Sequence, residues 1–308
     1  MRITLFTPFA VSALLGAAAP WAGRRLPPRT AAWLLTSASV VAGGGWAAAL
    51  AMLAFTLVGQ IPVVAAEGQW SPGVLAANTP VDRSVALACG VVLAGCAVAF
   101  VVSAYRRTRT LLNARREGRA LPSGGELAVL DDPVPTAFTV PGSPGRIVVS
   151  SGMLRALDAR ERSALLAHER AHLRHHHHVF LLVMRLAAVV NPLLRPVAGA
   201  GAFALERWAD EDAATAVADR SLVARAVARA ALAAKHAPRH TLAVTGGPVP
   251  QRVRALLAPP PRLRHHLVVA HAVLMLVCCV SLALSAQGMD HLFDLASPAH
   301  AAVSTAGR

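Results

Sequence analysis

Residues 168–172 read His-Glu-Arg-Ala-His, inside the stretch LLAHERAHLRHHHHVFLLV at 165–183. Histidines four positions apart share one face of a helix, so both imidazoles can bind one metal ion. Glu169 lies beside the first and can reach water on that ion. His168 and His172 are therefore candidate zinc ligands, and Glu169 is a candidate general base for hydrolysis. A solvated, histidine-rich helix end would have a similar composition, but the position of the motif counts against that reading. It falls on a predicted helix with Asp158 as N-cap and Glu161 three residues later, the pattern of a capping box.

A tetrahedral catalytic zinc takes three protein ligands and one water. His178 stands six residues after His172, an arrangement that needs a glycine at 175 to break the helix; His175 occupies that position. If the helix continues, six residues turn by about 600° and put His178 on the wrong face. The other candidate is Glu206, in LERWADEDAA. Asp210 follows it by four, on the same face of a second predicted helix over 205–235. Glu206 would ligate the zinc, and Asp210 would hydrogen-bond a ligating histidine and fix its tautomer. Without the upstream motif, the same residues would read as a solvated acidic helix start.

Those residues must be held by a chain that looks built for lipid. Of 308 residues, 55% are hydrophobic and only 15% charged, and the mean hydropathy is +0.50. A soluble domain carries about 25% charged residues, so a membrane protein is the expected class. The net charge of +14 comes almost wholly from arginine, since Lys235 is the single lysine. Coding from G- and C-rich codons accounts for that bias. No aromatic-and-basic interleaving is present, and direct nucleic-acid binding is not expected. Cys89, Cys96, Cys278 and Cys279 all lie in apolar runs and read as small membrane-buried side chains.

Four stretches are long enough to cross a bilayer: residues 3–22, one tilted span within 31–66, 84–104 and 267–286. The first reads as an uncleaved span, because Arg2 alone precedes it while Arg24, Arg25 and Arg29 follow. Basic loops follow the first and third spans and precede the fourth; the loop at 72–82 has no Lys or Arg. Positive loops stay in the cytoplasm. The expected layout is an inner (plasma) membrane protein with both termini outside. Residues 1–104 hold three spans, 105–265 a cytoplasmic domain, 266–286 the fourth span and 287–308 a short external tail.

Within the cytoplasmic segment, 105–119 reads as a basic continuation of the third helix. ELAVL, TAFTV and RIVVSS, starting at 126, 136 and 146, predict three short strands in a small meander. The apolar run at 179–198 is too short for two crossings, and one crossing would separate His172 from Glu206 by the membrane. It is expected to dock on the membrane surface or the helical bundle and return, with its prolines supplying the break. His175, His176 and His177 read as a polar collar at the headgroups, and His271 as an interfacial group. His240 and the arginines near it are oxyanion-donor candidates by type only.

AFTVPGSPGRIVVSSGMLRALDARERSALLAHERAHLRHHHH together with LERWADEDAA resembles the integral-membrane gluzincins. The likeness is to BlaR/MecR-type membrane metallopeptidases, and more distantly to HtpX-like membrane proteases. NPLLRP after the apolar run fits the first type, as do three spans, a zinc domain and a fourth span. The resemblance implies an α-helical membrane protein carrying an inserted small α+β gluzincin-type protease domain. It implies one Zn2+ per chain on His168, His172 and Glu206, Glu169 as general base and Asp210 orienting a ligand. It also implies that the strand bearing Thr136, Ala137 and Phe138 pairs with the substrate backbone. HtpX-like proteins usually carry asparagine where this chain has Thr136. BlaR/MecR-type proteins carry a large external sensor; this chain ends 22 residues after Ala286, so direct β-lactam sensing is not expected.

The expected activity is zinc-dependent cleavage of a protein or peptide substrate in the cytoplasm, such as a transcriptional repressor or the protease itself. The bilayer is a further partner, and self-association is compatible with this reading. A quality-control protease for membrane proteins is the alternative within the same chemistry. A catalytically silent receptor or scaffold is the alternative outside it, and an intact Glu169 argues against that.

Overall fold

The computed structural model describes residues 2–79, 81–120, 125–142, 145–235 and 249–297. Four of its helices are long and apolar enough to cross a membrane: α1 (Arg2–Arg25), α2 (Pro28–Val58), α5 (Arg83–Ala120) and α12 (His265–Ala296). Pro28 opens α2 at a position where no backbone N–H is needed. The buried face of α2 is mostly small, with Ala31, Ala32, Ala38, Ala42 and Ala49. Small residues let helix backbones come close. At Gly45 a Cβ would already sit 3.1 Å from Cys278 Sγ of α12.

Two short helices, α3 (Pro62–Gly68) and α4 (Pro72–Asn78), follow α2. Trp70 Nε1 donates to the Gly59 carbonyl at 2.7 Å, and its ring meets Phe293 of α12 edge-on at 4.7 Å. The Ala296 carbonyl accepts the Ser71 N–H at 2.7 Å. The first part of the expected tail is therefore the last three turns of α12, packed on this end; residues 298–308 lie outside the described residues. Helix α5 continues without a break into its arginine-rich half, as the sequence suggested.

The three strands form at the expected places, β1 (Leu127–Leu130), β2 (Ala137–Val140) and β3 (Arg146–Ser150), but not as a meander. The order is β1-β3-β2, with β3 parallel to β1 and antiparallel to β2. Burial explains the order. Ile147 and Val149 pack on Met153 and Leu157, while Val148 packs on Ala128 and Val140, so β3 is covered on both faces. A strand apolar on both sides belongs in the centre. β2, half-buried along most of its length, is left at an edge.

Ser150 ends β3 and caps α6 (Ser151–Ala156): its Oγ accepts the N–H groups of Met153 at 3.0 Å and Thr136 at 2.9 Å. α7 (Ala159–Arg174) follows with its full capping box. It stops at His175 because His176 takes the left-handed conformation, φ 51°; histidine is among the residues that tolerate it best. α8 (His177–Val190) then packs on α2, α5 and α9 (Arg195–Val217). The apolar detour thus docks on the bundle, with Met184 fully buried. Asn191 turns the chain back. Its side chain donates to Ser12 Oγ at 2.8 Å and accepts the Leu193 N–H at 3.1 Å, ahead of a 3-10 turn at Pro192–Leu194.

The expected helix over 205–235 is two helices. α9 begins ten residues earlier, inside the bundle, and ends at Ala218, φ 53°. Asp219 then starts α10 (Arg220–Lys235) by accepting the Leu222 N–H at 2.9 Å. The break lets α10 fold back on α7 and on α11 (Val249–Leu257). The largest core joins Val11 and Leu15 of α1, Leu35 of α2, Met184 of α8 and Val197, Ala204 and Trp208 of α9. The first half of α9 is therefore fixed in the bundle, and its acidic second half emerges from it.

A Cβ at Gly16 of α1 would stand 2.4 Å from the Leu193 carbonyl oxygen, whereas one at Gly44 of α2 meets nothing within 4 Å. Gly16→Val must push α1 off the turn that returns the chain, at a cost of about 1–3 kcal/mol. Thermal unfolding in detergent should show a lowered midpoint for Gly16→Val and an unchanged one for Gly44→Val.

Candidate metal centre

The capping box fixes where α7 starts and hence which of its residues face inward. Asp158 Oδ1 accepts the Glu161 N–H at 2.9 Å, and Glu161 Oε2 accepts the Asp158 N–H at 3.0 Å. Arg229 of α10 donates to the same Glu161 oxygen at 2.7 Å, which ties the start of α7 to α10. One helical repeat later, Ala164, His168, Glu169 and Ala171 are buried. α9 lies against this face and presents Glu206 and Asp210, also four apart and buried.

His168, His172 and Glu206 each bring one donor atom to a common point, all within 4.8 Å of one another. The two Nε2 atoms are 3.1 Å apart. Glu206 Oε2 is 3.7 Å from His168 Nε2, and Oε1 is 3.6 Å from His172 Nε2. Zinc bonds of about 2.0–2.2 Å in tetrahedral geometry need donor atoms roughly 3.3–3.6 Å apart. The spacing and the donor chemistry both suit such an ion. His178 does not join the set. The helix breaks before it, so the condition of a continuous helix is not met, and the new helix turns His177 inward instead.

Asp210 Oδ1 lies 3.0 Å from His168 Nδ1, although the ring N–H is not well aligned on it. Arg252, from α11, was not singled out from sequence. Its Nη1 reaches Glu206 Oε2 at 2.8 Å, while Nε and Nη2 grip the two Asp210 oxygens at 2.8 and 2.6 Å. This buried fork brings one fixed positive charge to a site that would otherwise hold two adjacent carboxylates with no cation beside them. Burial alone would raise the Asp210 pKa, but Arg252 and His168 hold it below the usual carboxylate range. Burial raises the Glu206 pKa, with Arg252 and His168 opposing. For Arg252, Asp210 and Glu206 outweigh burial and raise the pKa. His168 is pulled down by burial but raised overall by Asp210. His172 is held well below its ordinary value by burial and by His168. Glu169 is raised to about 7, chiefly by burial.

The histidine run is not a headgroup collar. His177 is 3% exposed, and its Nδ1 lies 2.8 Å from His172 Nδ1. A neutral His172 whose Nε2 lone pair points at a metal carries its proton on Nδ1 and donates to His177 there. Burial, then the neighbouring His175, lowers the His177 pKa to about 3, which keeps it a neutral acceptor. His175 stacks on Trp208 at 4.5 Å and faces Asp212 Oδ2 at 2.6 Å; Arg174 pairs with the same carboxylate. Of the three residues, only His176 is exposed. The signal in the sequence was the run itself, which is too long to continue α7 and too apolar after 178 to stay in water.

A pocket beside the donors is lined by Thr136, Ala137, His168, Glu169, Glu206 and Arg252, and on its apolar side by Val223, Ala226 and Ala230 of α10. Thr136 and Ala137 thus reach the site. Phe138 points to the opposite face of the sheet, against Ala128 and Val148. His240 lies outside the described residues. His271 is at the bundle, 3.1 Å from Ser37 Oγ.

A family model described as Peptidase family M48 matches residues 103–204. The match supports a metallopeptidase; it takes in the HExxH helix and stops two residues before Glu206. No solved structure matches the chain.

Removing Arg252 leaves Asp210 and Glu206 buried without their cation. Arg252→Met should lower stability by about 3–5 kcal/mol, as when one member of a buried ion pair is deleted. The double variant Arg252→Met/Asp210→Leu should recover part of that loss. Denaturant unfolding of the four proteins of this cycle measures the coupling; strictly additive losses would contradict it.

Proposed function

We propose that the chain is an integral-membrane, zinc-dependent endopeptidase whose active site faces the cytoplasm. Its substrate would be a regulatory protein such as a transcriptional repressor. The observation that carries the reading is the convergence of His168, His172 and Glu206 on one point, with Glu169 beside them. The match to a peptidase family over the same helix supports it.

The orientation rests on the basic ends of α1, α2 and α5. Arg24 and Arg25 close α1, and Arg207, next to Glu206, donates to the carbonyls of Gly23 and Arg24 at 3.1 and 3.4 Å. Arg29, in the first turn of α2, lies over Trp208 at 5.7 Å. Arg115, in the basic half of α5, donates to the Pro141 carbonyl at 2.9 Å and so holds the sheet. These contacts join the site to the arginines at the helix ends, and positive ends stay in the cytoplasm, which supports a cytoplasm-facing site.

His168 and His172 through Nε2 and Glu206 through its carboxylate would hold one Zn2+, which supplies Lewis-acid polarisation of the scissile carbonyl and acidifies water. Asp210, 3.0 Å from His168 Nδ1, and His177, 2.8 Å from His172 Nδ1, would keep the protons on those nitrogens and so leave both Nε2 lone pairs for the ion. Glu169, buried and with its pKa near 7, is matched to take a proton from the attacking water and deliver it to the leaving nitrogen. The substrate backbone would lie along the open edge of β2, past Thr136 and Ala137. The apolar wall of α10 would receive a side chain.

Glu169→Gln keeps the shape of the site and removes the base. Processing should fall by at least about 100-fold, with metal content unchanged. Comparing cellular proteomes of wild type and Glu169→Gln identifies the substrate. One stabilised regulator supports the proposal, and many stabilised membrane proteins would point to quality control. Unchanged processing would leave only a silent scaffold.

A further inference from the structure

A second pocket, separate from the metal centre, is lined by Arg24, Phe203, Arg207, Gln251 and Arg254. The end of α1, the middle of α9 and α11 contribute these residues. Three of the five are cationic and none is acidic.

Arg207 is the built part of this pocket. It is 4% exposed, and its guanidinium stands 5.8 Å from the Phe203 ring. Nη1 is taken by the last carbonyls of α1, and Nε is buried with no acceptor among the described residues. The helix end offers only a partial negative charge. Glu211 and Asp210 act on Arg207 from nearby, but Glu211 pairs with Arg220 at 2.9 Å and Asp210 with Arg252. Burial, the largest influence, lowers the Arg207 pKa. A buried guanidinium with donors left over, facing two exposed ones, is short of an anion with several acceptor oxygens.

We propose that the pocket of Arg24, Arg207 and Arg254 binds a phosphate group, presented by an anionic phospholipid or by a soluble phosphate. Guanidinium forks match phosphate geometry. The lipid source has position in its favour, since Arg24 ends a helix long enough to span a bilayer and basic groups there meet anionic headgroups. The ligand would also act on the metal centre through the chain. Arg207 follows Glu206, and Gln251 and Arg254 flank Arg252. A phosphate bridging them would clamp α11 against α9 and hold Arg252 on its two carboxylates. Binding itself does not require the peptidase reading, so the two can fail separately.

The test uses the full chain in neutral detergent and in lipid nanodiscs. One arm titrates inorganic phosphate against chloride at equal ionic strength. The other compares nanodiscs of phosphatidylcholine with nanodiscs containing phosphatidylglycerol, reading the unfolding temperature. The variant is Arg24→Gln/Arg254→Gln, both positions being exposed. Each lost guanidinium should weaken phosphate binding about tenfold; Arg254→Gln alone serves if the double variant unfolds. Stabilisation by inorganic phosphate that the variant loses assigns a soluble ligand. Stabilisation by phosphatidylglycerol alone, again lost in the variant, assigns a headgroup. An equal response of wild type and variant, or no response in either arm, overturns the proposal.

Discussion

Glu206 stands 3.6–3.7 Å from two imidazole nitrogens that belong to a different helix. Bringing that carboxylate there imposes a topological condition, because thirty-three residues separate it from His172 and the intervening chain is apolar. An odd number of membrane crossings would put donor and acceptors on opposite sides. The chain meets the condition by burying the detour in the bundle. α8 packs on α2 and α5, Asn191 reverses the direction through Ser12, and the apolar half of α9 fills the core beside α1. The membrane-type bundle is therefore part of the site, since it sets the position of Glu206.

The second constraint is electrostatic. Glu206, Asp210 and Glu169 are all buried within one small region. Buried carboxylates are tolerated only with cations or protons close by. The structure uses both. Arg252 supplies the fixed charge and holds Asp210 ionised, so that Asp210 can face His168. Glu169, with no direct hydrogen bond or ion pair among the described residues, has its pKa raised by burial. Two buried acids of one site are thus driven to different protonation behaviour by what surrounds each one, which is the condition for a base that works near neutrality.

Much of this was legible in the sequence because helices convert spacing into geometry. Residues 168 and 172, and 206 and 210, were readable as two facing pairs, and Asp158 with Glu161 marked the start of α7. The strands were legible from their punctuation, but their order was not, since order depends on which strand is buried on both faces. The break at Ala218 has no glycine or proline; its only sign was Asp219 as a cap for the next helix. Arg252 was hidden among many arginines. Its one sign was indirect: two buried carboxylates need a cation near them, and a short helix with an arginine on its inner side can supply it. His177 was misread because a run of like residues suggests one shared environment, whereas the left-handed turn at His176 sends neighbours to opposite surroundings.

Two imidazoles and one carboxylate converge here as the donors for one ion. Zinc stoichiometry of the purified chain, with X-ray absorption of the bound metal, tests it most directly. The expected result is one zinc per chain with nitrogen and oxygen ligands only, retained in His178→Ala and lost in Glu206→Ala. Full zinc in Glu206→Ala together with its loss in His178→Ala would contradict it.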